Sequence, residues 1–236
     1  MPTIVISLGG SILFPGIDRP NIIPYISVLT RISAKNRLFV VVGGGGTARD
    51  YISLARTFGA DEAFSDEIGI MVTRLNATML VGALGCAAYP QVILNHNDAL
   101  CAAESGKIVV MGGITPGQTT DAVAAVLAER VHASLFINLT AVDGIYSADP
   151  RKDPTAKRYE KMTATELLKV VIDQHAVAGV NTVMDIVAVK MIERCGIPLL
   201  VMDGKDPSLL EKTLETGKYV GTLVSSDGEN PFPLKN

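Results

Sequence analysis

The apolar positions of this chain fall into short runs, and three of these runs end directly in glycine. Residues 4–8, 38–42 and 108–111 are largely apolar and β-branched, and they are followed by Gly9-Gly10-Ser11, Gly43-Gly44-Gly45-Gly46 and Gly112-Gly113. Such runs are typical of fully buried strands, and glycine allows the following turn to approach a ligand closely. If the three strands are parallel neighbours, their glycine ends lie at one carboxyl edge, where open α/β sheets bind ligands. The pattern therefore predicts a ligand site at this edge.

Between these runs, the apolar residues recur with the period of amphipathic helices. Ser65 is expected to cap a long helix whose first turn contains Asp66 and Glu67, and residues 163–166 form a capping box. Residues 140–161 are rich in turn dipeptides, which predicts a hairpin and an exposed loop. The remaining pattern predicts helices at 21–34, 47–58, 65–88, 97–103, 122–131, 163–173, 185–195 and 206–214, and further strands at 91–94, 134–139, 199–202 and 219–224. Because strands and helices alternate, we expect an α/β fold with a mainly parallel sheet and helices on both faces.

Composition narrows the class of protein. The chain has 236 residues, of which 48% are hydrophobic, so it can form one domain with a substantial core. Its 21 basic and 24 acidic residues give a net charge of −3, which predicts no nucleic-acid partner. Residues 75–97 lack formal charge, but Gly, Pro and Asn interrupt them, so we expect a buried or subunit-interface helix rather than a membrane span. With three widely spaced cysteines and no leader-like segment, a cytoplasmic location is expected.

The glycine turns indicate a phosphate site, but not one of the familiar designs. A P-loop would end in Gly-Lys-Ser/Thr, and a dinucleotide fingerprint would place an acid downstream; neither is present. A Pro-Gly loop at residues 113–120 contributes hydroxyl groups and leads into an alanine-rich helix. Because helix N-termini attract anions, the sequence predicts a phosphate site of different construction.

Several of these motifs together resemble the amino acid kinase superfamily. They are residues 8–11, 42–46 with Arg49, Asp66, the 113–120 loop, and residues 140–150 and 183–185. The likeness covers nearly the whole chain and is greatest to the archaeal type of the uridylate (UMP) kinase branch. It implies an amino acid kinase-like α/β/α sandwich with an acceptor-nucleotide lobe at 1–135 and an ATP lobe at 136–236. The implied reaction transfers the γ-phosphate of ATP to UMP, giving UDP and ADP for pyrimidine nucleotide synthesis. Mg²⁺ held mainly through the phosphates and a homohexamer are also implied.

The same resemblance assigns roles to individual residues. ATP would be bound by Gly9, Gly10, Ser11, Gly45, Arg49, Thr140, Tyr146 and Asp149. UMP would be bound by Gly44, Asp66, Ile114, Thr115, Pro116, Gly117, Gln118, Thr119 and Thr120. Arg49 and Asp143 are the candidate catalytic residues, and no side chain is assigned to a metal. Taken alone, Asp66 is equally explained as an acid favoured near a helix N-terminus, and Arg49 as a solvated helix residue.

Two positions depart from the superfamily pattern and keep alternatives open. Ser7 stands where many members have a lysine, and Ala141 stands where relatives often have a polar residue. Arg49, Mg²⁺, helix N-termini and another lysine, for which Lys190 is a candidate, would then stabilise the transferred phosphate. The alternatives are a kinase of another small acid, such as a carboxylate or carbamate, or of isopentenyl phosphate on the same fold, and a non-catalytic nucleotide- or oxyanion-binding protein. The missing lysine is the feature that keeps the non-catalytic alternative open.

Overall fold

The computed structural model describes residues 1–15, 21–148, 150, 153–175, 184–226 and 230–234. Its strands are β1 (Thr3–Leu8), β2 (Arg37–Val42), β3 (Val109–Met111), β4 (Leu135–Thr140), β5 (Ile145–Tyr146), β6 (Arg158–Tyr159), β7 (Lys161–Met162), β8 (Leu199–Asp203) and β9 (Thr222–Val224). Its α-helices are α1 (Gly10–Leu13), α2 (Ile22–Ser33), α3 (Gly45–Thr57), α4 (Glu62–Leu84), α5 (His96–Ala103), α6 (Thr120–Arg130), α7 (Ala164–His175), α8 (Ile186–Cys195) and α9 (Pro207–Thr216). A 3₁₀ turn at Gly85–Ala87 follows α4.

Seven strands form one sheet in the order β3-β2-β1-β4-β8-β9-β7. The three strands that end in glycine are therefore neighbours, as predicted, and their pairings are parallel. The antiparallel pairing in this sheet is between β8 and β9, while β5 and β6 form a separate antiparallel hairpin within the turn-rich region. The mainly parallel sheet is confirmed. Because β4 pairs with both β1 and β8, the sheet is continuous across the expected boundary of the two lobes, whose division stays a prediction.

Two apolar cores lie on opposite faces of the sheet because alternate strand residues point to opposite sides. Ile4, Ile6 and Leu8 of β1 belong to the core that α2, α4 and α9 cover. Val5 belongs to the other core, which α5, α6, α7 and α8 cover. Helices on both faces confirm the predicted three-layer sandwich. By the same alternation, Ser7 faces α6.

Several local predictions are confirmed by their capping contacts. The Thr163 backbone N–H donates to Oε2 of Glu166 at 2.7 Å, and the Glu166 N–H donates to Oγ1 of Thr163 at 3.2 Å, which is the predicted reciprocal capping box. Asp185 caps α8, and Gly196 follows that helix with a φ of 66°. Glycine is favoured there because a left-handed conformation costs other residues energy.

Two local predictions are wrong. Helix α4 begins one turn earlier than expected, because the Asp61 carboxylate accepts a hydrogen bond from the Phe64 N–H at 2.8 Å, and Ser65 is buried inside the helix. Residues 91–94 form no strand; Ile93 makes an isolated bridge to Met111 beyond the short edge strand β3. The segment Glu62–Ala87 is long and apolar enough to cross a membrane by length and composition alone, and 39% of its most apolar stretch is buried in the protein.

Candidate active site

The first two glycine turns interlock at the carboxyl edge of the sheet. A Cβ atom on Gly45 would lie 2.6 Å from the carbonyl carbon of Gly10, and Gly45 has a φ of 67°. A Cβ atom on Gly10 would lie closer still to the Gly43 carbonyl oxygen. Glycine is required at both positions by close backbone approach. The turns after β1 and β2 therefore form one continuous backbone surface.

The N-terminus of α3 opens onto this surface. Its N-cap residue, Gly44, offers no side-chain hydrogen bond, and the first turn contains no acidic residue. The leading N–H groups of a helix are without intrahelical partners and carry the positive end of the helix dipole. With no side chain neutralising them, these groups are available to an anion such as a phosphate.

A cavity of about 420 Å³ adjoins the glycine turns on the side of β2 and β3. It is lined by Gly44, Gly45, Ala48, Asp66, Gly69, Ile70, Thr73, Gly113, Gly117, Gln118, Thr119 and Thr120. The structure thus brings together most of the residues assigned to UMP. Ile114, Thr115 and Pro116 belong to the same loop but do not line the cavity.

Helix α4 holds the loop that borders this cavity. Oδ2 of Asp66 accepts a hydrogen bond from the Gly117 N–H at 2.8 Å, and Oγ1 of Thr73 accepts one from the Gly113 N–H at 2.7 Å. Nε of Arg74 donates to the Gly113 carbonyl at 3.0 Å, and Nη2 donates to the Ile114 carbonyl at 3.3 Å. The loop is therefore held to the helix at three residues, in addition to its own turn, in which the Gln118 N–H donates to the Thr115 carbonyl at 3.4 Å.

Sequence reasoning missed three of these α4 residues, namely Thr73, Arg74 and Asn76. Nδ2 of Asn76 donates to the Gly43 carbonyl at 2.9 Å and to the Gly44 carbonyl at 3.2 Å, so it fixes the second glycine turn. Thr73 and Asn76 are each 7% exposed. Buried polar residues need hydrogen-bond partners, and their presence on the inner face of a mostly apolar helix was the signal that could have identified them.

On the other side of the edge, Thr140 and Tyr146, two of the residues assigned to ATP, lie at and just after the end of β4, whereas Gly45 and Arg49, also assigned to ATP, lie on α3 and Gly45 lines the cavity. Thr140 ends that strand, and the Gly9 N–H donates to the Leu139 carbonyl at 3.0 Å. Asp143 accepts hydrogen bonds from the Tyr146 hydroxyl at 2.8 Å and from Nη1 of Arg158 at 2.7 Å. Partial burial raises the pKa of Asp143, but these hydrogen bonds and the Arg158 charge outweigh it and hold the pKa below its usual range. Asp149 lies outside the described residues.

Asp143 is thus engaged in holding the β5–β6 hairpin. Its partner Arg158 is on β6, and Tyr146 is on β5, so the three side chains connect both strands of the hairpin to the end of β4. The predicted catalytic role of Asp143 stays a prediction, while its contacts show a carboxylate that orients the β5–β6 hairpin.

A largely buried polar cluster lies at the centre of the carboxyl edge of the sheet. In the sequence, this place was marked only by Ser7, which stands where many family members have a lysine. Oγ of Ser7 donates to Oδ1 of Asp121 at 2.6 Å, and Asp121 is partly buried at the start of α6. Burial raises the pKa of Asp121 to about 6; hydrogen bonds from Ser7 and Asn138 lower it, and the charge of Asp185 raises it. Asp185 itself accepts a hydrogen bond from the Thr119 hydroxyl, which connects this cluster to the acceptor loop. An acid in the first turn of an alanine-rich helix was the signal for Asp121.

Arg49 is exposed on α3, one turn after the glycine end. A Cβ atom on Gly46 would lie 3.9 Å from Nη2 of Arg49, so the guanidinium folds back over the first turn of the helix. In the part of the chain that the structure describes, no carboxylate forms an ion pair with it. Lys190, the other cation considered, is exposed on α8 and has no described contact to this edge.

The arrangement joins an open cavity lined by most of the residues assigned to UMP, a backbone surface suited to phosphate and the loops at the end of β4. The family model of the amino acid kinase family matches residues 2–203. A protein named uridylate kinase from Methanospirillum hungatei JF-1 is 83% identical over 235 residues, covering 100% of both chains. Another of that name, from Methanoculleus marisnigri, is 59% identical over 233 residues, covering 99% of this chain and 100% of that one.

Solved structures give the same result. The crystal structure of uridylate kinase from Archaeoglobus fulgidus matches with a TM-score of 0.85 and 41% sequence identity, covering 95% of this chain and 100% of that one. The family model, the full-length relatives and the fold therefore confirm the resemblance that the glycine turns suggested. The chain belongs to the amino acid kinase family.

Proposed function

We propose that this protein transfers the γ-phosphate of ATP to UMP, giving UDP and ADP in pyrimidine nucleotide synthesis. The observation that carries the proposal is the 420 Å³ cavity, which the 113–120 loop borders and which opens onto the interlocked glycine turns. Relatives that cover the whole chain are named uridylate kinase, which supports UMP as the acceptor.

In the proposed reaction, a phosphate oxygen of UMP attacks the γ-phosphorus of ATP, and the bond from that phosphorus to the oxygen bridging the β- and γ-phosphates breaks. The protein positions the two nucleotides and neutralises charge, and it forms no covalent intermediate. The 113–120 loop, which the α4 contacts position, holds UMP. The free N–H groups of α3 and the guanidinium of Arg49 face the phosphates. Asp143 and Thr140 shape the ATP side.

We propose that Mg²⁺ is held mainly through the ATP phosphates. Among the described residues, no group of three His, Cys, Asp or Glu side chains could hold a metal ion. The glycine turns present backbone N–H groups, which bind phosphate oxygens and leave other phosphate oxygens for a hard cation. When bound, Mg²⁺ supplies positive charge to the transferred phosphoryl group.

An assay across acceptors tests the proposed function. We expect UMP-dependent ADP release in a coupled assay, with little release for N-acetylglutamate, carbamate or isopentenyl phosphate. Preference for one of those three would instead identify a different kinase on this fold. ATP binding without ADP release for any acceptor would support the alternative of a non-catalytic binding protein.

The Asp66 carboxylate is expected to select the acceptor ribose. It lines the cavity and is half-buried, so it can accept a hydrogen bond from a ribose hydroxyl of UMP bound there. Loss of a hydroxyl partner for a buried acceptor costs about 1–3 kcal/mol, so dUMP should have a kcat/KM about 5- to 150-fold below that of UMP. Asp66→Asn should reduce this preference, while Glu67→Gln, at the exposed neighbouring acid, should leave it unchanged. Equal turnover of UMP and dUMP by the unmodified protein would contradict the role of Asp66.

We also propose that the protein acts in the cytoplasm, without a nucleic-acid or membrane partner, as a homo-oligomer, and that the oligomer is a hexamer. An apolar stripe on α4 supports self-association: Met71, Leu75 and Met79 are spaced by four residues and are each more than half exposed. Tyr51, Leu54 and Phe58 of the neighbouring α3 are also exposed. Exposed apolar patches of this kind are typical of subunit contacts.

Gly82 continues this stripe and allows a test of it. The position is exposed, and no atom lies within 4 Å of a Cβ built there, so arginine fits the folded subunit. A charge placed within an apolar contact is costly to desolvate. Gly82→Arg should therefore produce smaller species in light scattering, while Ser27→Arg on α2 should not. A folded Gly82→Arg protein of unchanged mass would refute the contact.

A further inference from the structure

Three successive carbonyl groups at the end of β4 connect it to the loops on its two sides. The Leu139 carbonyl accepts from the Gly9 N–H at 3.0 Å, on the side of β1. The Thr140 carbonyl accepts from the Gly204 N–H at 2.9 Å, and the Ala141 carbonyl accepts from Nζ of Lys205 at 3.0 Å, on the side of β8. The loop at residues 203–206 therefore flanks Thr140 opposite the first glycine turn.

Helix α2 and the residue that precedes it, Asn21, hold this 203–206 loop through two hydrogen bonds. The Tyr25 hydroxyl donates to the Gly204 carbonyl, and Nδ2 of Asn21 donates to the Lys205 carbonyl at 3.2 Å. Burial, followed by the charges of Asp203 and Asp206, raises the pKa of Tyr25, so the hydroxyl remains a donor. A Cβ atom on Gly204 would lie 3.1 Å from side-chain atoms of both Ile12 and Leu139, so the loop packs closely against α1 and β4. The backbone that carries Lys205 is thus held in one place.

The other cations described near the edge are committed elsewhere or lie apart from the donor side. Arg158 is paired with Asp143 at 2.7 Å, and Arg74 donates to carbonyls of the acceptor loop. Arg49 lies on α3, beyond β1 from the donor side. Position 7, at the centre of the edge, is a neutral serine that donates to Asp121. None of these four positions therefore offers an uncommitted cation to the end of β4.

Lys205 is available at the end of β4. Its ammonium group lies 3.2 Å from Oδ2 of Asp203, but the lysine side chain is 66% exposed. An exposed pair of this kind contributes little to stability, so the flexible lysine can exchange that carboxylate for a more highly charged partner. A triphosphate at the end of β4 is such a partner.

We propose that Lys205 binds the phosphates of the donor nucleotide and provides, from the end of β8, the lysine charge that Ser7 does not provide from β1. The inference rests on the proposed function, in that it assigns ATP to the side of β4 and β8. It predicts a donor-specific effect: loss of Lys205 weakens ATP binding and leaves the acceptor cavity, on the far side of β1, unaffected.

The test compares Lys205→Ala, Lys205→Arg and Lys212→Ala. Lys212 is an exposed lysine further along α9, so its replacement makes the same change in net charge away from the edge. Loss of one charge-assisted contact predicts about a tenfold or larger increase in KM for ATP and in the Kd of ATP measured by calorimetry. We expect KM for UMP and the melting temperature to be unchanged in Lys205→Ala, Lys205→Arg to restore most of the affinity, and Lys212→Ala to match the parent protein.

The two proposals fail in different ways. A parent protein that binds ATP but transfers no phosphate to UMP would overturn the proposed function, and calorimetry with ATP alone would still test Lys205. A folded Lys205→Ala protein with a Kd for ATP within twofold of the parent would overturn the role of Lys205. Equal weakening of ATP and UMP binding would also overturn it, because that result indicates a structural rather than a donor-specific role.

Discussion

Replacing Arg49 with alanine should lower kcat/KM for UMP phosphorylation by about 10²–10³, or about 3–4 kcal/mol, as removal of one preorganised donor does in other enzymes. Arg49 is one turn into α3, with its guanidinium folded back toward the N–H groups of the first helical turn, where we propose that the phosphates bind. A planar, permanently charged group can bind two phosphate oxygens together. With Ser7 in place of a lysine, this arginine becomes a leading protein cation for the transferred group.

Three comparisons make the Arg49 test specific. Arg49→Lys should recover only part of the activity, because an ammonium group cannot reproduce the bidentate geometry. Arg56→Ala removes an exposed arginine from the same helix, one that pairs with Glu62 at 2.6 Å, and it should leave kcat/KM unchanged. The free energy of unfolding should change little for Arg49→Ala, because Arg49 is exposed. Activity of a folded Arg49→Ala protein within about threefold of the parent, under 1 kcal/mol of barrier, would show that other groups neutralise the phosphates.

Asp121→Asn should make the protein more stable at neutral pH and should leave its stability nearly unchanged at low pH. Burial raises the pKa of Asp121 from 3.8 to about 6 in the folded protein. The folded state therefore binds more protons than the unfolded state between these values, so stability falls as pH rises through that window. The cost is absent below about pH 4 and complete above about pH 7, where it amounts to about 3 kcal/mol for a shift of about two pKa units. Asparagine avoids this cost, because its side-chain carbonyl oxygen still accepts the hydrogen bond from the Ser7 hydroxyl and carries no charge.

Urea unfolding at several pH values between 4 and 8 measures this difference. The stability gain of Asp121→Asn over the parent should grow with pH, while Asp173→Asn, at an exposed acid on α7, should show no such trend. A gain that is the same at pH 4 and pH 8 would mean that the pKa of Asp121 is not raised. Phosphoryl transfer by Asp121→Asn should fall, since Ser7 and Asp121 lie at the centre of the predicted phosphate edge. An aspartate that lowers the stability of the folded protein at neutral pH is consistent with a functional role for Asp121.

Some features of the site depend on residues close together in the chain, and these were predictable. A β-branched run followed by glycine specifies a buried strand and a close turn within about ten residues, so the three glycine ends were found correctly. The capping box at Thr163 and Glu166 is equally local. Local signals fail where two of them compete: Asp61 and Ser65 are both good helix caps, and the earlier one begins α4. Tertiary packing then buries Ser65.

The sequence by itself determined the layer architecture, the neighbouring glycine turns and, through its motifs, the family. Periodicity and turn chemistry encode these features among residues that are near each other along the chain. Only the tertiary structure decided which polar groups meet at the edge. Ser7 and Asp121 are 114 positions apart, Arg74 and Gly113 are 39 apart, and Lys205 and Ala141 are 64 apart. Such contacts are set by strand order and by the side of the sheet that each helix covers. No local pattern records them, so the position of Lys205 beside the end of β4 could be read only from the fold.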